Sequence, residues 1–367
     1  MRVLVVGNWH SELHEEVVFR ALSQLGYDVH GFKWHHYFSA LPGLVGRVRH
    51  YLQRLQDKFV SGPLLSRINR DLLICIERLK PEVVFVYRGT HVTAATLREI
   101  RRRIRGVIVV GYNNDDPFAP HQPRYLWRHF LKAVPEYDLV LAYRHANLPE
   151  YCAAGARRVE LLRSWYVPER NHPVTLTADE RERFEADVVF VGHYEPDQRL
   201  DYLEEIVRQG FRLRLFGPGY DWDPVIRRSP WLRDQIPVQL VWGEDYNRAL
   251  CGAKIALCFF SKLNRDTYTR RCFEIPATGT LLLSEHSDDL TTLFLPGKEV
   301  ALFSSRDEMI ESIRGYLSDD ARRRAVAEAG RERVITGRHD VVARMEDVMA
   351  WVEEVRAHSV KHESVEA

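Results

Sequence analysis

The stretch Ala253-Lys-Ile-Ala-Leu-Cys258-Phe-Phe260-Ser-Lys262-Leu-Asn264-Arg265-Asp266-Thr-Tyr-Thr269-Arg270-Arg271-Cys-Phe-Glu274-Ile-Pro276-Ala277-Thr-Gly279-Thr-Leu281-Leu-Leu283-Ser-Glu285 reads as one strand–loop–helix–strand unit. The apolar run Ile255–Phe259 predicts a buried strand, and a charged, hydroxyl-rich loop follows it. A short helix then carries Glu274, Gly279 ends that helix, and Leu281–Leu283 begins the next strand. Two buried strands joined through a helix run parallel.

The same alternation fills the chain. Upstream runs are Val3–Val6, Asp28–Phe32, Val83–Tyr87, Val107–Gly111, Leu139–Tyr143 and Val159–Leu162, with helical patterns at Glu15–Leu25, Leu64–Leu79 and Ala94–Arg105. Downstream runs are Val188–Val191, Leu213–Phe216, Val238–Val241, Ile255–Phe259, Leu281–Leu283 and Val300–Phe303. That is enough for two doubly wound parallel sheets. A length of 367 residues also suits two domains. The expected divisions are an N-terminal domain 1–170, a linker 171–186, a C-terminal domain 187–340, and a helix and tail 341–367.

The composition is globular, with 45% hydrophobic and 28% charged residues. Lys and Arg number 52 against 51 Asp and Glu, so there is no overall basic excess of the kind a nucleic-acid binder uses. Residues 1–185 hold 27 basic and 20 acidic side chains, and residues 186–367 hold 25 and 31. A basic first half suits an anionic acceptor or a membrane surface, or is variation between two domains. Apolar stretches such as Val83–Tyr87, Val107–Tyr112 and Ile255–Phe260 fall short of the roughly 18 residues a membrane span needs. Met1–Gly7 reads as a first strand, not a signal peptide. Five scattered cysteines without a C-x-x-C pair fit reduced thiols in a cytoplasmic protein.

Ligands of open parallel sheets sit beyond the carboxyl ends of the strands. After the first strand comes Gly7-Asn8-Trp9-His10, which lacks the later glycines of a dinucleotide fingerprint, as does Gly217-Pro218-Gly219. A nicotinamide dehydrogenase is thereby excluded. Asp221-Trp222-Asp223 is a lone D-x-D, read as a turn and not as a metal ligand. Thr269, Arg270 and Arg271 at a helix start could seat a diphosphate, with Glu274 one turn in accepting ribose hydroxyls. The same residues also fit a capped helix with a solvated basic face.

Further motifs accompany that block. Val189-Phe-Val-Gly192-His193-Tyr194-Glu195-Pro196-Asp197-Gln198-Arg199, Leu213-Arg-Leu-Phe-Gly217-Pro-Gly219 and Asp245-Tyr246-Asn247-Arg248 precede it, and Leu293-Phe-Leu-Pro-Gly-Lys-Glu299 follows. Over residues 187–340 this order resembles the C-terminal domain of a GT-B glycosyltransferase of the group 1 type, in its branch related to the spore maturation protein CgeB. Glu274-Ile-Pro-Ala277-Thr-Gly279-Thr resembles the end of the E-x7-E signature, with Asp266 where the first Glu would stand.

The resemblance implies two Rossmann-like domains facing across a cleft. It further implies a UDP-, GDP- or TDP-sugar donor in the second, and a glycan or lipid-linked acceptor in the first. Glu274 would bind ribose, while Arg271, Lys262 and Arg199 would neutralise the diphosphate. Gly217 and Tyr246 would border the base; Gly192, His193 and Asn264 complete the donor set, and Asp266 would reach the donor sugar. No metal or other cofactor is then required. Glu274 is expected to lie exposed in the open cleft, so that its loss leaves the ligand-free protein intact.

In the first half, Asn113-Asn114-Asp115-Asp116-Pro117 places two amides and two carboxylates at a strand end. Asp115 or Asp116 is expected to contact substrate or act as a base, its neighbour capping the turn. Trp9, His10, His91, Asn113 and Asn114 are acceptor-side candidates. The segment Phe32–Pro63 is aromatic and basic (Trp34, His35, His36, Tyr37, Phe38, Arg47, Arg49, Tyr51, Arg54), and with arginines 98, 101, 102, 103 and 105 could rest on an anionic membrane or grip an acidic glycan; the alternative is a core-packing insertion with a solvated helix face. A retaining glycosyltransferase is the leading reading. A sugar-nucleotide epimerase and a non-catalytic binding module are the alternatives.

Overall fold

The structure, a computed structural model, describes residues 1–39 and 43–365. It divides into two compact units, Met1–Arg163 with Val341–Ala367, and Ser164–Asp340.

The first unit is built on six parallel strands: β1 (Arg2–Gly7), β2 (Asp28–Lys33), β3 (Val83–Tyr87), β4 (Ile108–Asn113), β5 (Leu139–Ala142) and β6 (Val159–Leu161). Their order is β2-β1-β3-β4-β5-β6. Val3–Val6, Val83–Val86 and Leu139–Ala142 are buried along their whole length, because helices cover both faces of the sheet. β2 flanks β1 on one side and β3 on the other, so the winding reverses at β1 and opens a crevice beyond the carboxyl ends of β1 and β3. The helix Val341–Val365, expected as an appendage, packs on this unit: Arg158 reaches Glu354 at 2.6 Å and Arg356 lies 3.7 Å from Glu82.

The second unit carries β7 (Ala186–Val191), β8 (Leu213–Phe216), β9 (Ala253–Cys258), β10 (Leu281–Glu285) and β11 (Ala301–Phe303), in the order β11-β10-β9-β7-β8. Leu281 pairs with Ile255, and Ile255 with Val188, so the unit read from Ala253–Glu285 forms with parallel register. Its winding reverses at β7, between β8 and β9.

Two expectations change. The run Val238–Val241 is not a strand: Pro237 has no N–H to offer, Asp223 Oδ1 takes the Val238 N–H at 3.0 Å, and Gln239 makes only an isolated bridge to Phe216. Residues 171–186, expected as a linker, fall within the unit Ser164–Asp340. They hold the helix Ala178–Phe184, closed by a Thr177–Glu180 capping box and anchored by buried Phe184.

Candidate functional site

In the second unit the loops after β7 and β8 touch backbone to backbone. A Cβ on Gly217 would fall 2.2 Å from Gly192 O and 2.8 Å from Trp222 Nε1, and that indole donates to Gly192 O at 2.8 Å. Only glycine permits this approach. The Arg271 guanidinium lies against the same loop, since a Cβ on Gly192 would be 3.2 Å from Arg271 Nη1. Arg271 Nε is buried and has no hydrogen-bond partner among the described residues. Beneath it lie the buried thiols Cys258 and Cys272, 3.9 Å apart.

The helix Arg271–Ala277 holds Glu274 next to Tyr246 of the helix Gly243–Cys251. The Tyr246 hydroxyl donates to Glu274 Oε2 at 2.7 Å, and Arg270 Nε stands 2.9 Å from Oε1. Burial first, then the Glu274 carboxylate, pushes the Tyr246 phenol well above its ordinary range, so it stays a donor. Glu274 is only 3% exposed. That corrects the expectation of an open, solvent-facing carboxylate, because the helix turns it inward onto Tyr246.

Arg199 is also placed differently from its expected role. Its side chain is buried; Nε and Nη2 bond both Asp197 oxygens at 2.8 and 2.7 Å, and Nη1 bonds His193 O at 2.7 Å. It is a strut of the β7 loop. His193 is exposed and pairs through Nδ1 with Asp221 Oδ2 at 2.7 Å, while Asp223 holds Val238, so both D-x-D carboxylates serve the fold.

Lys262 Nζ sits 3.1 Å from both Glu285 oxygens, and the loop after it closes on Ser261, whose Oγ accepts from Asn264 N and whose carbonyl accepts from Asp266 N. Lys262 and Arg199 share the wall of a cavity of about 700 Å³, floored by Phe259 and Phe303, at the carboxyl ends of β7, β9, β10 and β11. The structure thus divides the donor candidates into two groups. Gly192, Gly217, Tyr246, Arg271 and Glu274 form one flank; Arg199 and Lys262 line the other.

In the first unit the two adjacent aspartates diverge. Asp116 is fully buried and its Oδ1 accepts from Phe118 N (3.0 Å) and Asn147 Nδ2 (2.9 Å), which makes it a turn carboxylate and not a base. Asp115 is part-exposed and pairs with Arg88 Nη2 at 2.8 Å. Asn113 is buried, accepts from Asp115 N at 3.1 Å, and leaves its Nδ2 without a partner among the described residues; Asn114 beside it is half-buried.

His91 does not face a ligand crevice. It is buried between Trp34 and Phe38, each ring 5.4 Å away, with Nε2 3.3 Å from Asp57. Trp9 packs against Gly31 of the edge strand β2, with the Lys33 ammonium 4.2 Å from its ring centre, so it covers the sheet edge. His10 remains exposed at the β1 end, 3.3 Å from Asn8. The arginines of the helix Ala94–Arg103 are not an open patch: Arg98 pairs with Glu136, Arg101 with Asp138, and Arg102 and Arg103 with Glu99.

Sequence reasoning places Arg88-Gly89-Thr90-His91 beyond a strand end but gives Arg88 no role, and it passes over Glu15. Arg88 follows β3 in a left-handed conformation (φ 64°), which aims it at Asp115, and no side-chain pattern announces that turn. Glu15 reads as an ordinary first-turn acid. It is buried against Gly7, accepts from Asn8 N at 2.7 Å through Oε1, and leaves Oε2 without a partner among the described residues. Burial pushes its carboxyl above the usual range. A carboxyl raised in this way adds stability below its unfolded value and loses it as pH rises through its folded value. Across that range the wild type should therefore lose stability relative to Glu15→Gln as pH increases. Parallel thermal-unfolding curves for the two proteins at every pH would contradict it.

Among the described residues, no three His, Cys, Asp or Glu side chains converge to hold a metal, and no helix is long and apolar enough to cross a membrane. Residues 198–350 match a protein family described as Glycosyl transferase-like. No curated protein matches the chain. Solved structures similar to it include a sucrose-phosphate synthase from Thermosynechococcus elongatus (TM-score 0.68, 13% identity, 98% of this chain and 100% of that one). Another is Anabaena Alr3699/HepE in complex with UDP-glucose (TM-score 0.64, 12% identity, 96% and 100%). A third is an α,α-trehalose-phosphate synthase (UDP-forming) from Burkholderia vietnamiensis (TM-score 0.65, 13% identity, 98% and 99%). The two parallel-sheet units therefore have the fold of GT-B glycosyltransferases. Within that fold, the stretch 198–350 carries a glycosyltransferase-like sequence.

Proposed function

We propose that this protein is a glycosyltransferase. It would take a nucleotide-diphosphate sugar in its second unit and pass the sugar to a hydroxyl of an acceptor held by its first. The observation that carries the reading is Arg271. Its guanidinium is seated on the Gly192 loop, its Nε lacks a partner among the described residues, and the Glu274 carboxylate that accepts from Tyr246 stands one turn away. Phosphate oxygens complete such a guanidinium, and Glu274 retains lone pairs for a ribose diol. The UDP and UDP-glucose found in the HepE complexes make a uridine nucleotide the first donor to test. Within the group 1 type, the motif order favours the branch related to the spore maturation protein.

Arg271 and Lys262 would stabilise the departing nucleotide diphosphate without a metal. Arg199 holds the β7 loop that receives it. Asp115, already neutralised by Arg88, is suited to bind an acceptor hydroxyl, which favours a retaining course over one that needs Asp115 as a base. An epimerase would need two carboxylates acting together, and Asp115 and Asp116 point apart. Incubation with UDP-glucose and other nucleotide sugars in the presence of a chelator should release the nucleotide diphosphate, faster with a sugar acceptor. Release that requires added magnesium, or interconversion of the donor sugar without any release, would overturn this reading.

A further inference from the structure

The helix Gly43–Phe59 presents its apolar stripe to solvent. Val48, Tyr51, Leu52 and Phe59 are 61%, 64%, 52% and 44% exposed. Their spacing of three, four and seven puts them on one face with part-exposed Leu55. Exposed cations flank that face: Arg47, Arg54 and Lys58 along one border and Arg49 along the other. The helix's one acid, Asp57, turns inward to His91, on the side where Gln53 is buried. Its end is fixed by Arg128, which donates to Phe59 O and Val60 O, and Phe59 meets exposed Tyr125 at 5.4 Å.

We infer that this helix is a membrane-surface anchor, lying in the headgroup region of an anionic bilayer. Contiguous exposed apolar side chains mark an interaction surface. A row of cations beside them, with the helix's one acid on the opposite side, selects a negatively charged partner, and the mixture of aromatic, aliphatic and basic side chains is that of an interfacial helix. The inserted segment thus has two parts, since Trp34 and Phe38 pack into the core while the helix after them faces outward. The inference is independent of the donor site and holds whichever reaction the protein performs.

The test is co-sedimentation of the full chain with vesicles of phosphatidylcholine alone and of phosphatidylcholine containing phosphatidylglycerol, at low and high salt. Binding should need the anionic lipid and weaken with salt. Each cation near the surface is worth roughly fivefold, so Arg47→Gln/Arg54→Gln/Lys58→Gln should lower affinity on the order of a hundredfold. Tyr51→Glu/Leu52→Glu should abolish binding with unfolding midpoint and nucleotide affinity unchanged, because both side chains are exposed. Equal binding to neutral vesicles overturns the inference. So does no vesicle binding, with the double glutamate variant instead turning a dimer into a monomer, which would make the stripe an interface between copies.

Discussion

Replacing Glu274 with Ala is expected to cost the ligand-free protein about 2–4 kcal/mol of stability and to remove measurable UDP binding. The stability loss follows from its position: the change removes the buried acceptor of the Tyr246 hydroxyl and the ion pair with Arg270. Binding should fall because hydrogen bonds to a charged group are worth about 1.5–3 kcal/mol. Since both effects come from one carboxylate, alanine alone does not separate them. Glu274→Gln keeps shape and an acceptor oxygen, so it should unfold closer to wild type in urea while still binding UDP at least tenfold more weakly, the factor about 1.4 kcal/mol produces. A glutamine variant with wild-type UDP affinity would make Glu274 a packing carboxylate and nothing more.

The second large effect is expected at Gly217. Alanine there puts a methyl group 2.2 Å from Gly192 O, a backbone atom that Trp222 also fixes. Neither partner is a flexible side-chain end, so the two loops must separate. Overpacking of this kind typically costs about 1–3 kcal/mol. The loop that moves is the one against which Arg271 rests, so UDP affinity should fall with stability. Urea unfolding and UDP titration of Gly217→Ala check both. Unchanged values in each would show that the loops accommodate a side chain and that their close approach does not position the site.

The strands were legible because parallel strands covered on both faces are almost pure apolar runs, and Ala253–Glu285 spells out a complete unit with its helix stop at Gly279. Val238–Val241 has the composition of a strand but makes only the isolated Gln239–Phe216 bridge, because Pro237 offers no N–H and Asp223, distant in sequence, takes that of Val238. The donor block was legible as residue types at a spacing. Orientation was not. Nothing local distinguishes Arg199, which bonds Asp197 two residues away, from an arginine held open for phosphate. The burial of Glu274 depends on Tyr246, 28 residues distant, and that of His91 on Trp34 and Phe38. The position of Arg88 at a strand end was legible, but its pairing with Asp115 was not, because it comes from a left-handed backbone turn. The outward stripe of the helix Gly43–Phe59 is apolar in sequence just as a core-facing stripe would be; only the fold says which side faces solvent.

On the proposed reading, the second unit binds a nucleotide diphosphate through Arg271 and Glu274 without a metal. Calorimetric titration of UDP into the wild type, Arg271→Ala, Arg271→Lys and Glu274→Gln, all in a chelator, tests it most directly. Saturable binding to the wild type is expected, with strong loss in Arg271→Ala and Glu274→Gln. Arg271→Lys should recover only part of the affinity, because an ammonium does not present the planar fork of a guanidinium. Equal affinity across all four proteins, or no heat for any nucleotide diphosphate until a divalent ion is added, would contradict it.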